Sequence, residues 1–170
     1  MDTDKTVEQG PTGESREPGE PKRIFKLDRA QIQKLEQELR NALTQSASVP
    51  DAEKPALANH ILAQVRSGAC DCWCVGAEMD DNPGCPRPVG FLFTLRKHDN
   101  VRIIAAATSS TVHADEWRDV VCGPLEAAFA AAGAKTISLE TSVKRLEDIV
   151  LAAGFKPVRV VYEKEIGHVS

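Results

Sequence analysis

Residues 116–166 read EWRDVVCGPLEAAFAAAGAK (116–135), TISLET (136–141), SVKRLEDIVLAAGF (142–155) and KPVRVVYEKEI (156–166). In the first piece Trp117, Val120, Val121, Leu125, Ala128, Phe129 and Ala132 recur at steps of three and four, which draws one apolar stripe along a helix. Such a stripe needs a sheet to cover. Ile137 and Leu139 alternate with Ser138 and Glu140, the period of a strand. Leu146, Ile149, Val150 and Ala153 then return to helical spacing until Gly154 stops the helix, and a last strand is expected in 156–166. The stretch therefore predicts helix, strand, helix, strand. Gly123-Pro124 interrupts the first helix, since proline lacks the N–H and crowds the carbonyl of Val120; the stripe continues past it, so one bent helix is expected.

Working outward, His98, Asp99 and Asn100 join two apolar runs, Val89–Arg96 and Val101–Thr108, through a link short enough to force an antiparallel hairpin. Ahead of it, Cys70, Cys72 and Cys74 share one face of a strand and Asp71, Trp73 and Val75 the other. Helices are expected near 29–43, with Ile32, Leu35, Leu39 and Leu43 buried and Asp28 and Gln31 forming a capping box, and near 52–67, with Pro55 tolerated in the first turn. Ile24–Leu27 is a short strand. Residues 1–22 are rich in Pro, Gly and acidic side chains, too apolar-poor to offset their ordering entropy, and read as a disordered arm ahead of a single domain, 23–170. The order is β-α-α-β-β-β-α-β-α-β, a mixed-sheet α/β (α+β) domain.

Composition bounds the function. The 170 residues are 42% hydrophobic and 27% charged with a net charge of −4, which suits one domain with a full core and gives nucleic acid no electrostatic hold. No apolar run is long enough to span a bilayer, so a cytoplasmic protein without a membrane partner is expected. Five cysteines cannot all pair within one chain and read as reduced. Alternating cysteines on a strand lie about 6–7 Å apart, too far for three to ligate one ion. No metal is expected; were one held, Cys85 in its proline-flanked turn with Cys72 and Cys74 would be the ligands.

This order resembles the GNAT superfamily, the acyl-CoA N-acyltransferase fold, most closely where Gly133, the strand Thr136–Glu140, a short helix and Gly154-Phe155 precede the last strand. VRSGACDCWC (65–74) followed by VGFLFT (89–94) is similar to small GNAT-like proteins of tailed bacteriophages, some of which accompany virion genes. The resemblance implies a twisted sheet that splays between Val101–Thr108 and Thr136–Glu140. It implies pantetheine of acetyl-CoA in the gap against Ala106, Ala107, Thr108, Ser109 and Ser110, and pyrophosphate at the start of the next helix. It also implies an acid on the short helix, but the one tyrosine, Tyr162, lies in the last strand, and Ser142 stands where the family has an asparagine. Glu116 or His113 could take a proton from an amine, and Ser109, Ser110 or Thr111 could donate one.

Phosphate at a helix N-terminus wants unobstructed amides, whereas SSTVHADE (109–116) holds no glycine and is followed by Asp119, so Asp115, Glu116 and Asp119 would repel it. The sequence thus leads to a GNAT-like fold with a degenerate acyl-CoA site. Such a chain serves as a structural or interaction protein with protein partners, in a virion if phage-encoded, and needs no cofactor. The alternatives are an acetyl-CoA-dependent N-acyltransferase and a metal-stabilised binding module.

Overall fold

The structure, a computed structural model, describes residues 21–45, 50–78, 86–108, 117–140 and 144–158. The arm up to residue 20, Cys85, the 109–116 stretch and the last strand expected in 156–166, beyond Val158, lie outside the described residues. Five strands form one sheet in chain order: β1 (Lys22–Lys26), β2 (Asp71–Ala77), β3 (Arg87–Lys97), β4 (Asn100–Thr108) and β5 (Thr136–Leu139). The first four are antiparallel neighbours and β5 runs parallel to β4, as the helical crossover between them requires. Lys22, assigned to the arm by composition, belongs to the sheet, where it sits opposite Ala77, and just ahead of it the Pro21 carbonyl accepts from the Glu78 N–H at 2.8 Å.

Three helices cover one face: α1 (Arg29–Lys34), α2 (Glu36–Thr44) and α3 (Lys54–Ser67). The single helix expected over 29–43 is instead two, bent at Leu35, although backbone bonding runs through the bend from Gln31 to Leu35 to Leu39 at 2.9 Å each. Asp28 and Gln31 form the capping box, both bonds 2.8 Å. Leu39, Leu43, Ile61, Leu62 and Val65 pack here on Cys72, Cys74, Phe91 and Phe93 of the sheet. Gly68 ends α3 in the left-handed region at φ 78, a conformation that glycine adopts without steric cost.

The opposite face carries a π-helical turn (Trp117–Cys122), α4 (Gly123–Ala131) and α5 (Lys144–Ala152). The single bent α-helix expected through Gly123-Pro124, near 115–132, is corrected here. A π turn uses five-residue hydrogen-bond steps, so the helix widens just where Pro124 would otherwise crowd Val120. Pro124 then falls in the first turn of α4, where its missing N–H leaves no bond unmade. Trp117, Val121, Leu125 and Phe129 are buried against Val75, Leu92 and Val101. Phe129 meets the Trp73 ring edge-on at 5.4 Å, and the Trp73 indole donates to the buried Thr94 hydroxyl at 3.1 Å. At the far end the Arg96 guanidinium donates to the Ala132 carbonyl at 2.5 Å, a cation at the helix C-terminus.

Candidate functional site

The sheet opens between β4 and β5. Their ladder is short, Asn100↔Thr136 to Ile103↔Leu139, while β4 continues to Thr108 beside β3. The reason lies in the register on the other side of β4. Phe93 pairs with Ala105 and Thr94 with Ile103, which leaves Ile104 as an extra residue, a β-bulge. A bulge bends its strand and sharpens its twist, and this one falls at the last rung shared with β5. Beyond it, Ile104–Thr108 present a strand edge with no strand partner among the described residues.

A cleft follows from this divergence. Ile103, Ala105, Ala106 and Leu92 form its floor, Ile137 and Leu139 its β5 side, and Trp117, Val121, Leu125 and Val150 its helical walls, with Phe155 from the chain after α5. The small Ala106, on the same face as Trp117 and Val121, is what leaves room. Among the described residues Cys122, Glu126 and Glu140 are the polar residues on the lining, and no basic residue joins them. Burial, then the Glu126 carboxylate, pushes the Cys122 thiol up, so it faces the cleft as a neutral group. Arg102 of β4 binds the Glu140 carboxylate at 2.5 Å, across the point where the strands part.

Of the residues picked from the sequence, Ala106 and Ala107 lie on the open β4 edge and Thr108 ends that strand. Ser109, Ser110, Thr111, His113, Asp115 and Glu116 lie outside the described residues, as does Cys85. The third acid held to repel a phosphate, Asp119, is already paired: Arg118 contacts it at 2.8 Å, a hydrogen bond that, with the guanidinium charge, holds its carboxyl below the usual range. Its charge therefore meets an incoming anion together with a cation. Cys72 and Cys74 are buried beside Cys70 under α1–α3, where desolvation raises all three thiols, Cys70 to about 11 and Cys74 to about 12. Among the described residues no group of three or more His, Cys, Asp and Glu is placed to hold a metal ion. Of the other histidines, His60 pairs with Gln64 on the exposed side of α3 at 2.9 Å, and His98 forms the β3–β4 turn at φ 57.

Sequence reasoning missed Glu126, Glu140 and Arg102. Glu140 carried a signal, since it continues the Thr136, Ser138 alternation onto the face that Arg102 shares, but only the β4–β5 register brings the two together.

An antiparallel sheet with one parallel strand added across a helical crossover, splayed at a bulge and flanked by two helical layers, is a GNAT-like fold. Solved structures of that fold resemble the chain along most of its length. One is the aminoglycoside N-acetyltransferase AAC(6')-Iy in complex with CoA, 14% identical, covering 87% of this chain and 97% of its own at a TM-score of 0.57. A Pyrococcus furiosus protein thought to be an acetyl transferase is 12% identical and covers 86% and 100%, with a TM-score of 0.60. An aminoglycoside acetyltransferase from an uncultured soil metagenomic sample, in complex with sisomicin, is 12% identical and covers 86% and 97%, at 0.53. At these identities the likeness is one of fold. No protein-family model matches the chain, and no curated protein matches it in sequence.

Proposed function

We propose that the chain is an acyl-CoA-dependent N-acyltransferase whose acyl-CoA enters the cleft between β4 and β5. The observation that carries this reading is the edge of Ile104–Thr108, without a strand partner among the described residues, beside an apolar cleft. Main-chain N–H and C=O groups left without a partner are costly unless something pairs with them, and a pantetheine arm, with its two amides, can pair as an added strand does. Ala106 leaves its width, and Trp117, Val121 and Leu125 supply an apolar wall that excludes water from a thioester. The bound acyl-CoA supplies an activated acyl group. What the protein contributes is position, dryness and groups for the acceptor's protons.

The reading drawn first from the sequence, a structural or virion-associated protein on the same fold, requires the cleft to refuse acyl-CoA. It rests on the absence of glycine from 109–116 and on the acids of the helix start, and the Arg118–Asp119 pair removes part of the second objection. Calorimetry with acetyl-CoA separates the two. Micromolar binding, with release of free thiol on adding a primary amine, supports the enzyme. Heats of dilution alone up to millimolar acetyl-CoA would return the reading to a non-catalytic module.

A further inference from the structure

The helix that walls the cleft buries Trp117, Val121, Leu125 and Phe129, each four residues from the next. In an α-helix a step of four overshoots a full turn by about 40°, so three such steps carry a side chain about 120° round the axis, off any one wall. Here all four stay on the wall. The π turn over Trp117–Cys122 accounts for it, since its longer hydrogen-bond step takes up an extra residue and cancels most of that drift.

The other register has a definite outcome. Arg118 stands eleven residues before Phe129, and eleven residues come within about 20° of three whole α turns. An unbroken α-helix would therefore seat Arg118 on the wall and carry Trp117 off it. The structure sorts the two the opposite way: Trp117 is buried in the cleft cluster, while the Arg118 side chain is 64% exposed and holds Asp119 at 2.8 Å. Among the described residues the charged members of the cleft lining are Glu126 and Glu140, so an arginine turned inward would add a cation where the lining has none.

Two adjacent residues fix the choice. Pro124 has no N–H to give the Val120 carbonyl, and its ring crowds that carbonyl, so α bonding cannot run through it. Gly123 lies against the widened turn. A Cβ added to it would stand 3.6 Å from the Arg118 carbonyl oxygen, an ordinary contact, so alanine fits there and what glycine contributes is its low helix propensity.

We propose that Gly123 and Pro124 are positioning residues for acyl selectivity: by holding the π turn they seat Trp117 rather than Arg118 on the wall, and the cleft refuses an acyl group that ends in a carboxylate. This rests on the acyltransferase reading of the cleft. A dicarboxylic acyl chain such as succinyl would lie against an indole and aliphatic side chains, on a lining whose charged residues are acidic, with nothing to replace its lost hydration. With Arg118 turned inward the same chain would meet a guanidinium.

The test uses the full chain and compares acetyl-CoA with succinyl-CoA by calorimetry, so that whatever holds the shared CoA portion cancels in the ratio of affinities. The unaltered protein should favour acetyl-CoA at least about tenfold. Gly123→Ala/Pro124→Ala opens the α path and should lower that ratio at least about tenfold, while melting at or above the parental temperature because both changes raise helix propensity. Arg118→Ala should leave the ratio unchanged in the parent and restore it in the double variant, since the arginine bears on the cleft only once it turns inward. Nuclear Overhauser contacts report the register itself: backbone contacts at five-residue spacing across Trp117–Cys122 should give way to four-residue spacing in the double variant. Should that variant not fold, Pro124→Ala alone decides by the same readings. A parental ratio in the variant, or a lowered ratio that Arg118→Ala fails to restore, would overturn the inference and leave the acyltransferase reading standing. So would loss of both affinities in step with a lower melting temperature, the mark of a purely structural role, or an unaltered protein that binds succinyl-CoA as tightly as acetyl-CoA. Unaltered protein that binds neither would bring down both.

Discussion

Replacing Phe129 with alanine tests the layer that forms the cleft's helical wall. Phe129 is 6% exposed and meets Trp73 edge-on at 5.4 Å, within a cluster that includes Trp117, Val121 and Leu125. Truncating a buried phenylalanine removes its transfer energy and leaves a cavity, together about 3–5 kcal/mol, of which the aromatic pair accounts for about 0.5–1.5 kcal/mol. For a domain of roughly 140 residues the entropy of unfolding is about 0.3 kcal/mol per degree, so the melting temperature should fall by about 10–17 °C. Urea titration followed by circular dichroism measures both midpoint and slope, and the slope should stay constant. Phe129→Leu, which fills most of the volume, should lose less. A double-mutant cycle with Trp73→Phe should return a coupling of about 0.5–1.5 kcal/mol. A loss of about 0.5 kcal/mol or less for Phe129→Ala, with the slope unchanged, would mean that this helix does not pack on the sheet as described.

Further outcomes follow from other residues. Gly76→Ala would bring a Cβ to 2.7 Å from the Pro86 Cβ and 3.2 Å from the Phe25 ring, so the β1–β2–β3 junction must shift; a loss of about 1–3 kcal/mol by urea titration is expected. Ala106→Leu fills the cleft from its floor and should weaken acetyl-CoA at least about tenfold by calorimetry while the protein melts near the parental temperature. The buried thiols give a pH dependence. Their folded values are raised, to about 11 for Cys70 and about 12 for Cys74 with Cys72 also raised, so above pH 9 the unfolded chain loses protons that the folded one keeps. Stability should therefore be full below pH 9 and fall as pH rises toward 11, by up to about 1.4 kcal/mol per unit for each thiol, and less steeply in Cys74→Ala; urea midpoints at pH 8, 9 and 10 measure this.

The sequence made the element order legible because each segment states its own period. Trp117, Val121, Leu125 and Phe129 mark a helix, Ile137 and Leu139 a strand, and the His98-Asp99 turn the hairpin. It did not show the bend at Leu35, where no proline or glycine marks the break, or the π turn, which solves the Pro124 problem by a change of helical step that leaves the apolar stripe intact. The cleft was half legible. Ala106, Ala107 and Thr108 were placed on its edge by resemblance, yet the bulge at Ile104 lies hidden in a uniformly apolar run, Val101–Ala107, broken only by Arg102. Arg102 and Glu140 are separated by 38 residues, so local periodicity cannot pair them; the parallel register of β4 and β5 does.

The central claim is that the open edge of β4 is where acyl-CoA binds, and amide chemical shifts test it most directly. In a titration of the nitrogen-15-labelled chain with acetyl-CoA, the largest changes should fall on Ile104–Thr108, Trp117–Cys122 and Leu139–Glu140, with the buried residues of α2 and α3 little moved. A spectrum unchanged at millimolar acetyl-CoA, or shifts confined to the α1–α3 face, would contradict the account.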